Sequence, residues 1–370
     1  MLKRFVLILL ISCSPAFGAY SYSKAVTIDH TKVGSVSSTN FPMLFTGTYS
    51  YLATVANGGQ VQSSSGYDIV FTSDSACSSL LNWEQESWNG TTGAVIYWVQ
   101  IPTLSVASDT VIYLCYGNSA ITSFQGGATG SAWDSNYKVV YHLPNGTTLT
   151  ANDSTANGNN GQLPGPYPSG ATAPAAAAGY IDGGASFNGS SSSVYTADWK
   201  MSYLTVSAWI ETTQSGSSNP QIICRDSGQC TASGGRLWQF RMSTGNKLQF
   251  IPFNSSGNGV TLTGSTTIND GNWHYVVGTW DGTYVNIYVD GSSDAAQGSL
   301  SGSLNQTATF MLLGTGNYYS GLMDEVRVSG IARSADWIKA EYNNQSSPST
   351  FYYVATPPPA VNKSGHSAIM

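Results

Sequence analysis

The stretch GLMDEVRVSGIARSADWIKAEYNNQSSPSTFYYV, residues 321–354, carries the strongest indication of the fold. It has the pattern of a strand, a turn, one short helix and a final strand. Asp324 and Glu325 stand at the start of the strand, and Ser334 stands directly before the helical segment, where an N-cap residue is expected. The stretch therefore predicts a single short helix between two strands.

Nearly all periodic segments before Ser334 alternate with a period of two, and turn residues separate them. No amphipathic helix longer than about ten residues is apparent in this part of the sequence. Asp281 and Gly282 separate two alternating runs, which is a strong hairpin signal, and the second run predicts core positions at Val285, Ile287 and Val289. The pattern indicates an all-β chain.

The composition bears on the kind of ligand. Hydrophobic residues make up 41% of the 370 residues, enough for a sizeable core. Charged residues make up only 9%, whereas an average soluble protein has roughly 25%. The net charge of -6 and the surface of hydroxyl and amide groups argue against nucleic acid as a partner. They favour neutral, hydroxyl-rich ligands such as glycans.

Residues 1–18 have the pattern of a secretion signal. Lys3 and Arg4 are followed by an apolar run at 5–11, which is too short to span a bilayer, and small residues at 16–18 suit cleavage before Ala19. A competing interpretation is a bacterial lipobox at 10–13, which would leave Cys13 lipidated. No other segment is long and apolar enough to cross a membrane, so the protein is expected to be secreted or held at the cell surface.

Cleavage after residue 18 leaves four cysteines, Cys77, Cys115, Cys224 and Cys230. An even number in an exported chain predicts disulfides, with three possible connectivities. The short spacing of Cys224 and Cys230 suits a bridge across a loop, which leaves Cys77 to pair with Cys115; four unpaired buried thiols are the alternative. No Cys/His spacing predicts zinc, because the histidines are scattered: His30, His142, His274 and His366.

Six motifs follow one another in the first part of the chain: YSKAVTIDHTKV from Tyr22, NFPMLF from Asn40, GYDIVF from Gly66, NWEQESW from Asn82, IYWVQIP from Ile96 and DTVIYLCYGN from Asp109. In order and spacing, residues 20–129 resemble the DUF 2341 family. That family has no agreed activity, and its members often stand before a laminin-G-like domain. A Gly/Ser/Ala-rich stretch at 123–135 predicts the break between domains.

Further motifs follow the break: GGASFNGSSSSVYTADW from Gly183, YLTVSAWIETT from Tyr203, RLWQFRM from Arg236, KLQFIPF from Lys247 and GNWHYVVGTWDGTYVNIYVDG from Gly271. Together with 321–354, they make residues 133–354 resemble a laminin-G-like domain of the concanavalin A lectin/glucanase fold. The resemblance implies two β-sandwich (jelly-roll-like) domains in tandem, with one short C-terminal helix. Residues 165–180 are expected to form a surface loop, and residues 355–370 a disordered tail.

A structural Ca²⁺ ion is implied by the second resemblance. The matching positions are Asp324 and Asp153, and the loop at 152–161 has the oxygen-rich composition that Ca²⁺ requires. The alternative is that Asp153 is a turn residue and that Asp324 pairs with an arginine.

Candidate glycan-binding residues lie in the same domain. The loop 314–320 holds Tyr318 and Tyr319 between glycines, and sugars stack on aromatic rings. Alternation along the strand at 236–242 predicts Gln239 and Arg241 on the face opposite the core, where they would bind sugar hydroxyls. The alternative is that these four are ordinary surface residues.

Hydrolysis is weakly indicated. Glu84 and Glu86 share one face of a predicted strand, as a glycosidase pair would, but they lie in the first domain. Asp324 and Glu325 are adjacent and are therefore expected to point to opposite faces. No catalytic residues are therefore predicted.

The sequence therefore predicts an exported, non-catalytic binding protein that recognises glycans at a cell surface or in a matrix, for example in cell adhesion. The alternative is a structural subunit of a surface layer, appendage or virion, and a polysaccharide hydrolase is a weaker third. The sequence leaves open which sugar or partner is bound, the oligomeric state and the role of the first domain.

Overall fold

The computed structural model describes residues 20–144, 148–164, 169–226, 230, 236–305 and 310–355. The predicted signal peptide with Cys13, and the predicted tail beyond residue 355, lie outside these ranges. Within them, the elements in chain order are β1 (Tyr22–Ile28), β2 (Ser38–Thr48), β3 (Val70–Thr72), β4 (Trp83–Asn89), β5 (Ala94–Leu104), β6 (Thr110–Tyr116), β7 (Tyr137–Tyr141), β8 (Ala175–Ala178), β9 (Gly183–Asn188), β10 (Val194–Thr196), β11 (Leu204–Glu211), β12 (Gln221–Asp226), β13 (Trp238–Met242), β14 (Lys247–Pro252), β15 (Leu262–Thr267), β16 (Trp273–Trp280), β17 (Tyr284–Val289), β18 (Ser292–Ser293), β19 (Gly298–Ser299), β20 (Phe310–Leu313), β21 (Ser320–Ser329), α1 (Ala335–Ser346), α2 (Pro348–Phe351) and β22 (Tyr352–Val354). Short 3₁₀ helices cover His30–Lys32, Ser50–Leu52, Val55–Asn57 and Gly216–Ser218.

The first sandwich packs a sheet of order β22-β1-β6-β3 against a sheet of order β2-β5-β4. Its outermost strand β22 comes from the end of the described chain and pairs antiparallel with β1, with Val354 opposite Val26. The sequence placed this strand in the second domain, which is wrong for residues 352–354. The reason is packing: Phe351 and Tyr352 are buried in the core of the first sandwich. The remaining domain boundaries stay predictions.

The second sandwich packs a sheet of order β10-β20-β12-β13-β14-β15 against one of order β18-β17-β16-β11-β21-β9-β8, in which β7 also pairs with β21. The predicted hairpin is confirmed, because β16 pairs with β17 and Val285, Ile287 and Val289 are buried. The expected surface loop at 165–180 is wrong in part, since its alanines form edge strand β8 against β9.

Helix α1 lies between the two sandwiches. Ser334 caps it, as predicted, by accepting a hydrogen bond from the Trp337 amide at 3.1 Å. Trp337 packs into the core of the first sandwich, whereas Ile338 packs with Trp209 on the outer face of the second. Asn344 extends this contact by bonding the backbone N–H and C=O of Leu44 on β2. The helix therefore fixes one sandwich to the other.

A β-bulge interrupts β21 at the point where it faces the first sandwich. Asp324 pairs with Trp209 on β11, and the register then shifts before the next pair. Glu325 has φ of +50°, an unusual value for a residue with a side chain. Met323 and Val326 both point into the core, so Asp324 and Glu325 share the opposite face. The prediction that these two acids face opposite sides is wrong, because simple alternation does not anticipate the extra residue.

Two disulfides join Cys77 to Cys115 and Cys224 to Cys230, with Cα–Cα distances of 6.1 and 6.2 Å. The predicted pairing is therefore confirmed. In the described part of the chain, no helix has the length and apolar character needed to cross a membrane.

Candidate binding groove and the charge cluster behind it

A cavity of about 430 Å³ lies where the first sandwich meets the segment that leads into the second. Its aromatic side is made by Tyr67, Trp83 and Phe124, with ring centroids 5.6 Å apart for Trp83–Phe124 and 6.4 Å for Tyr67–Phe124. Phe124 is 37% exposed, so part of its ring surface is free to bind a ligand. The other lining residues are mostly small or polar: Glu84, Gln85, Ala128, Thr129, Gly130, Ala132, Asn152, Asp153 and Ser154.

A second cavity of about 500 Å³ shares Tyr67 and Gln85 with the first. Trp88 lines it, and the Trp88 ring fits closely between two glycines, because a Cβ at Gly66 or at Gly90 would come within 2.8 Å of ring atoms. The remaining lining residues are Thr54, Asn57, Ser64, Ser65 and Thr91. The two cavities together are called the β4 groove below, because β4 supplies Trp83, Glu84, Gln85 and Trp88.

Polar groups in the β4 groove are held in place by their own hydrogen bonds. Gln85 accepts from the hydroxyl of Tyr97 at 3.2 Å and donates to the carbonyl of Ser65 at 3.3 Å. Asn57 donates to the hydroxyl of Thr54 at 2.7 Å. Fixed amide groups lose little conformational freedom when a ligand binds, which favours recognition of hydroxyl groups.

Glu84 connects the groove with a buried group of charges. Its side chain lines the groove and is 27% exposed. Trp133 Nε1 and Ser154 Oγ each donate to its carboxylate at 2.7 Å. His142 Nε2 lies 3.5 Å from the same carboxylate, and the His142 side chain is buried.

The buried group lies between the sandwiches and is called the seam cluster: Glu84, Glu86, His142, Glu325, Arg327 and Glu341. His142 Nδ1 is 2.7 Å from Glu325 and 3.5 Å from Glu86. Arg327 lies between two carboxylates: its Nη2 is 2.6 Å from Glu325 Oε2, and its Nη1 is 3.2 Å from Glu341 Oε1. The first sandwich supplies Glu84 and Glu86, helix α1 supplies Glu341, and the second sandwich supplies Glu325 together with both cations.

The electrostatics of the seam cluster follow from burial and close carboxylates. Burial opposes a charge on His142, but Glu325, Glu86 and Glu84 outweigh it and raise the pKa of His142 well above 6.5. Burial, reinforced by the charge of Glu325 and opposed by His142, raises the pKa of Glu86 to about 7. Burial also acts on Glu325, but His142 and Arg327 overcome it and lower its pKa.

The predicted glycan-binding residues do not come together. Tyr319 is 1% exposed, and its hydroxyl donates to the carbonyls of Glu211 and Leu322. Gln239 is also 1% exposed and donates to the carbonyl of Cys230. Both predictions are therefore wrong: hydrogen bonds to the backbone satisfy these polar groups in the interior.

Two of the four candidates keep some access to solvent. Tyr318 and Arg241 are half-buried. Arg241 is held by hydrogen bonds to Gln249 and Gln239, so it is committed to its neighbours on the sheet. For these two residues, sugar binding stays a prediction.

The proposed calcium ligands have their oxygens directed at N–H groups. Asp324 accepts from the amides of Tyr180, Ile181 and Glu325. Asp153 likewise accepts hydrogen bonds from backbone amides on both of its oxygens, and the donors include the amides of Val140 and Asn159. These contacts are typical of a turn residue. Ca²⁺ requires oxygens that are free to face it, so these carboxylates do not fit a calcium shell in this arrangement. Calcium stays a prediction that chelation tests.

Glu84 and Glu86 do point to the same side of β4, as predicted, because both face His142. Only Glu84 reaches the groove, since the side chain of Glu86 is 3% exposed. A glycosidase needs two carboxyl groups at the scissile bond. Because Glu86 is buried, the Glu84–Glu86 pair places only one carboxyl group in the groove.

Sequence reasoning missed His142 and Phe124. Nothing near His142 marks it, because its acidic partners are separated from it by 58 and 183 positions. Phe124 lies in the stretch interpreted as a break between domains, which is packed rather than loose: Trp133 in the same stretch is buried. The Glu84–Glu86 alternation next to tryptophans was the one local signal for this region.

Comparison with protein families gives two matches in succession. Residues 65–139 match the domain of unknown function DUF2341, and residues 182–339 match the concanavalin A-like lectin/glucanases superfamily. A comparison with curated protein sequences gives no match.

Similar solved structures include the binding domain of Paraclostridial Mosquitocidal Protein 1, with 14% identity and a TM-score of 0.45 over 56% of this chain and 52% of that one. The botulinum neurotoxin serotype G binding domain has 14% identity and a TM-score of 0.43, over 57% and 52%. Domain 4 of AbnA, a GH43 extracellular arabinanase from Geobacillus stearothermophilus, in complex with arabinotriose, has 19% identity and a TM-score of 0.40, over 55% and 97%. The chain thus spans about half of the first two structures. The two family matches therefore stand in the order that the motifs predict: a DUF2341 domain over residues 65–139 is followed by a laminin-G-like domain of the concanavalin A-like lectin/glucanases superfamily over residues 182–339.

Proposed function

We propose that the protein is an exported, non-catalytic binding protein that holds an uncharged glycan in the β4 groove. The observation that carries the proposal is a groove beside β4 in which the rings of Tyr67, Trp83, Trp88 and Phe124 lie next to amide groups held by their own hydrogen bonds. This moves the binding face from the second sandwich, where the sequence placed it, to the first.

The chemistry of the groove suits sugars. The apolar faces of pyranose or furanose rings stack on aromatic side chains, and amides such as Gln85 and Asn152 bond their hydroxyls. Each cavity lies within the range of about 300–1,000 Å³ that is usual for ligand sites. Because Tyr67 and Gln85 line both cavities, a linear chain of several sugars is a better match than a single monosaccharide.

Export is supported by the signal pattern at residues 1–18 and by the two disulfides, which persist in oxidising compartments. The low content of charged residues fits a neutral ligand on a cell surface or in a matrix.

The test is a glycan array on the protein from Ala19, followed by calorimetry with the best binder. Phe124→Ala and Tyr67→Ala remove stacking surface and are expected to weaken binding about tenfold each, which is about 1.4 kcal/mol. Tyr284→Ala is the matched control, because Tyr284 is 46% exposed on the second sandwich, outside the groove.

Other outcomes point to the alternatives. A null array with a folded protein would favour the structural-subunit function. Loss of binding in Tyr318→Ala but not in Phe124→Ala would return the site to the second sandwich. Repeating the array with a chelator tests calcium, and release of reducing sugars from a bound polysaccharide would show a hydrolase.

A further inference from the structure

Three side chains of the seam cluster meet at one point. Glu86 on β4, His142 directly after β7 and Glu325 on β21 each present one ligand atom, and these atoms all lie within 4.8 Å of one another. Their side chains are between 1% and 5% exposed. Neither sandwich has all three, so the point exists only where the two are joined.

Each of the two carboxylates accepts a hydrogen bond from a neighbouring side chain on its Oε2 atom. Glu86 Oε2 accepts from Trp98 Nε1 at 2.7 Å, and Glu325 Oε2 accepts from Arg327 Nη2 at 2.6 Å. Glu86 Oε1 is buried and has no hydrogen-bond partner among the residues that the structure describes. A buried carboxylate oxygen without a donor is costly, so a cation bound to the Glu86 carboxylate would offset this cost.

The imidazole of His142 faces a carboxylate at each of its two ring nitrogens. His142 Nε2 faces the carboxylate of Glu84 at 3.5 Å, and His142 Nδ1 faces Glu325 Oε1 at 2.7 Å. In metal centres, a ligating histidine commonly donates its second ring N–H to a carboxylate, which fixes the ring and raises its basicity. Glu84 is placed for that role.

We propose that Glu86, His142 and Glu325 bind a divalent transition-metal ion, with Zn²⁺ as the reference ion. The ion takes the place of the proton that His142 Nδ1 shares with Glu325 Oε1, and the carboxylate of Glu86, whose Oε2 lies 3.5 Å from Nδ1, completes the set. One imidazole and two carboxylates form a ligand set that suits borderline ions, since imidazole favours Zn²⁺ and similar metals over Ca²⁺.

Charge balance favours the ion. Four glutamates surround Arg327 and His142 in the seam cluster, so the carboxylates outnumber the cations. A divalent ion adds positive charge at the centre of this group and links strands from both sandwiches. The ion is therefore expected to stabilise the junction, and binding is expected to release protons.

The test uses the untagged protein from Ala19 after removal of metals with a chelator. Co²⁺ serves as the spectroscopic probe, and Zn²⁺ is added in competition. One ion per chain is expected, with a visible absorption band and a higher melting temperature. Glu86→Gln keeps the shape but removes a ligand, so the affinity is expected to fall at least tenfold. His30→Gln is the matched control, because it removes the exposed group of Asp29, His30 and Asp109 instead.

If Glu86→Gln does not fold, Glu84→Gln replaces it; that residue is partly exposed and outside the ligand set, and its loss is expected to weaken binding about tenfold. The proposal is overturned if the wild type binds no Co²⁺. It is also overturned if binding disappears in His30→Gln, or if Glu86→Gln and Glu84→Gln leave the affinity unchanged.

Discussion

Replacing Arg327 by methionine tests how strongly the seam cluster holds the protein together. Arg327 is 2% exposed, and its guanidinium lies between Glu325 and Glu341. It also lies over the ring of Trp98, 4.3 Å from the ring centroid. Methionine keeps most of the length and the apolar contact, but it removes the charge and every donor.

The expected loss of unfolding free energy depends on which partners Glu325 and Glu341 keep after the substitution. Removing one partner of a buried ion pair costs about 3–5 kcal/mol, because the other charge stays buried without compensation. Loss of the cation–π contact adds about 0.5–2 kcal/mol. Glu341 keeps the hydroxyls of Tyr137 and Tyr275 at 3.1 and 3.0 Å, and Glu325 keeps His142, which limits the loss. The free energy of unfolding is therefore expected to fall by about 3–5 kcal/mol in total.

The assay is urea unfolding followed both by tryptophan fluorescence and by far-UV circular dichroism, because coincident transitions justify a two-state treatment. Arg241→Met is the control, because Arg241 is only half-buried. Its substitution is expected to lower the free energy of unfolding by about 1 kcal/mol or less. A double-mutant cycle with Glu341→Gln is expected to give a coupling of about 1–3 kcal/mol. A loss below about 1 kcal/mol for Arg327→Met, or a coupling near zero, would refute the reasoning.

Three further predictions concern other parts of the molecule. Replacing Cys77 and Cys115 by alanine is expected to lower the free energy of unfolding by about 3–4 kcal/mol, because the disulfide closes a loop with a sequence separation of 38; denaturation equal to that of the oxidised wild type contradicts this. Phe351→Ala is expected to lower the free energy of unfolding by about 3–5 kcal/mol and to speed amide exchange in β1, because the ring fills the core of the first sandwich. Unchanged amide exchange in β1 would count against this prediction. The hydrogen bond to Asp290 outweighs burial and raises the pKa of His274 above 6.5. The stabilisation that protonated His274 gives the folded protein is therefore full below pH 6.5, and it is lost as the pH rises through the raised pKa. The stability gap between wild type and His274→Gln should therefore shrink from about pH 5 to about pH 9, and a widening gap contradicts the assignment.

The parts of the fold that depend on local chemistry could be predicted from the sequence. Period-two alternation predicted the strands, Asp281 and Gly282 predicted the hairpin, and the position of Ser334 predicted the helix start. The disulfide pairing also followed, because the short spacing of Cys224 and Cys230 left one partner for each remaining cysteine.

The site could not be predicted in the same way, because it depends on contacts between distant segments. The bulge at Glu325 reverses the face that alternation assigns, and no turn residue announces it. Buried polar residues such as Tyr319 and Gln239 have the same sequence pattern as exposed ones, since only the fold shows which carbonyls they bond. Phe124 became part of a groove only through the packing of a segment that composition alone marks as a linker.

The two family matches divide the chain into successive units, but the physical units are interleaved. β22 extends the sheet of the first sandwich beside β1, although it follows the last strand of the second. Without it, the main-chain groups of β1 on that side would have no partner strand, and an open edge invites association with other chains. Glu86 on β4 also depends on the second sandwich, because His142, which lies 3.5 Å from its carboxylate, belongs to that sandwich. An isolated DUF2341 unit would therefore lack both an edge strand and the counter-charge of its buried acid. The pair of sandwiches, rather than either one, is therefore the smallest part of this chain that gives β1 its edge partner and Glu86 a counter-charge.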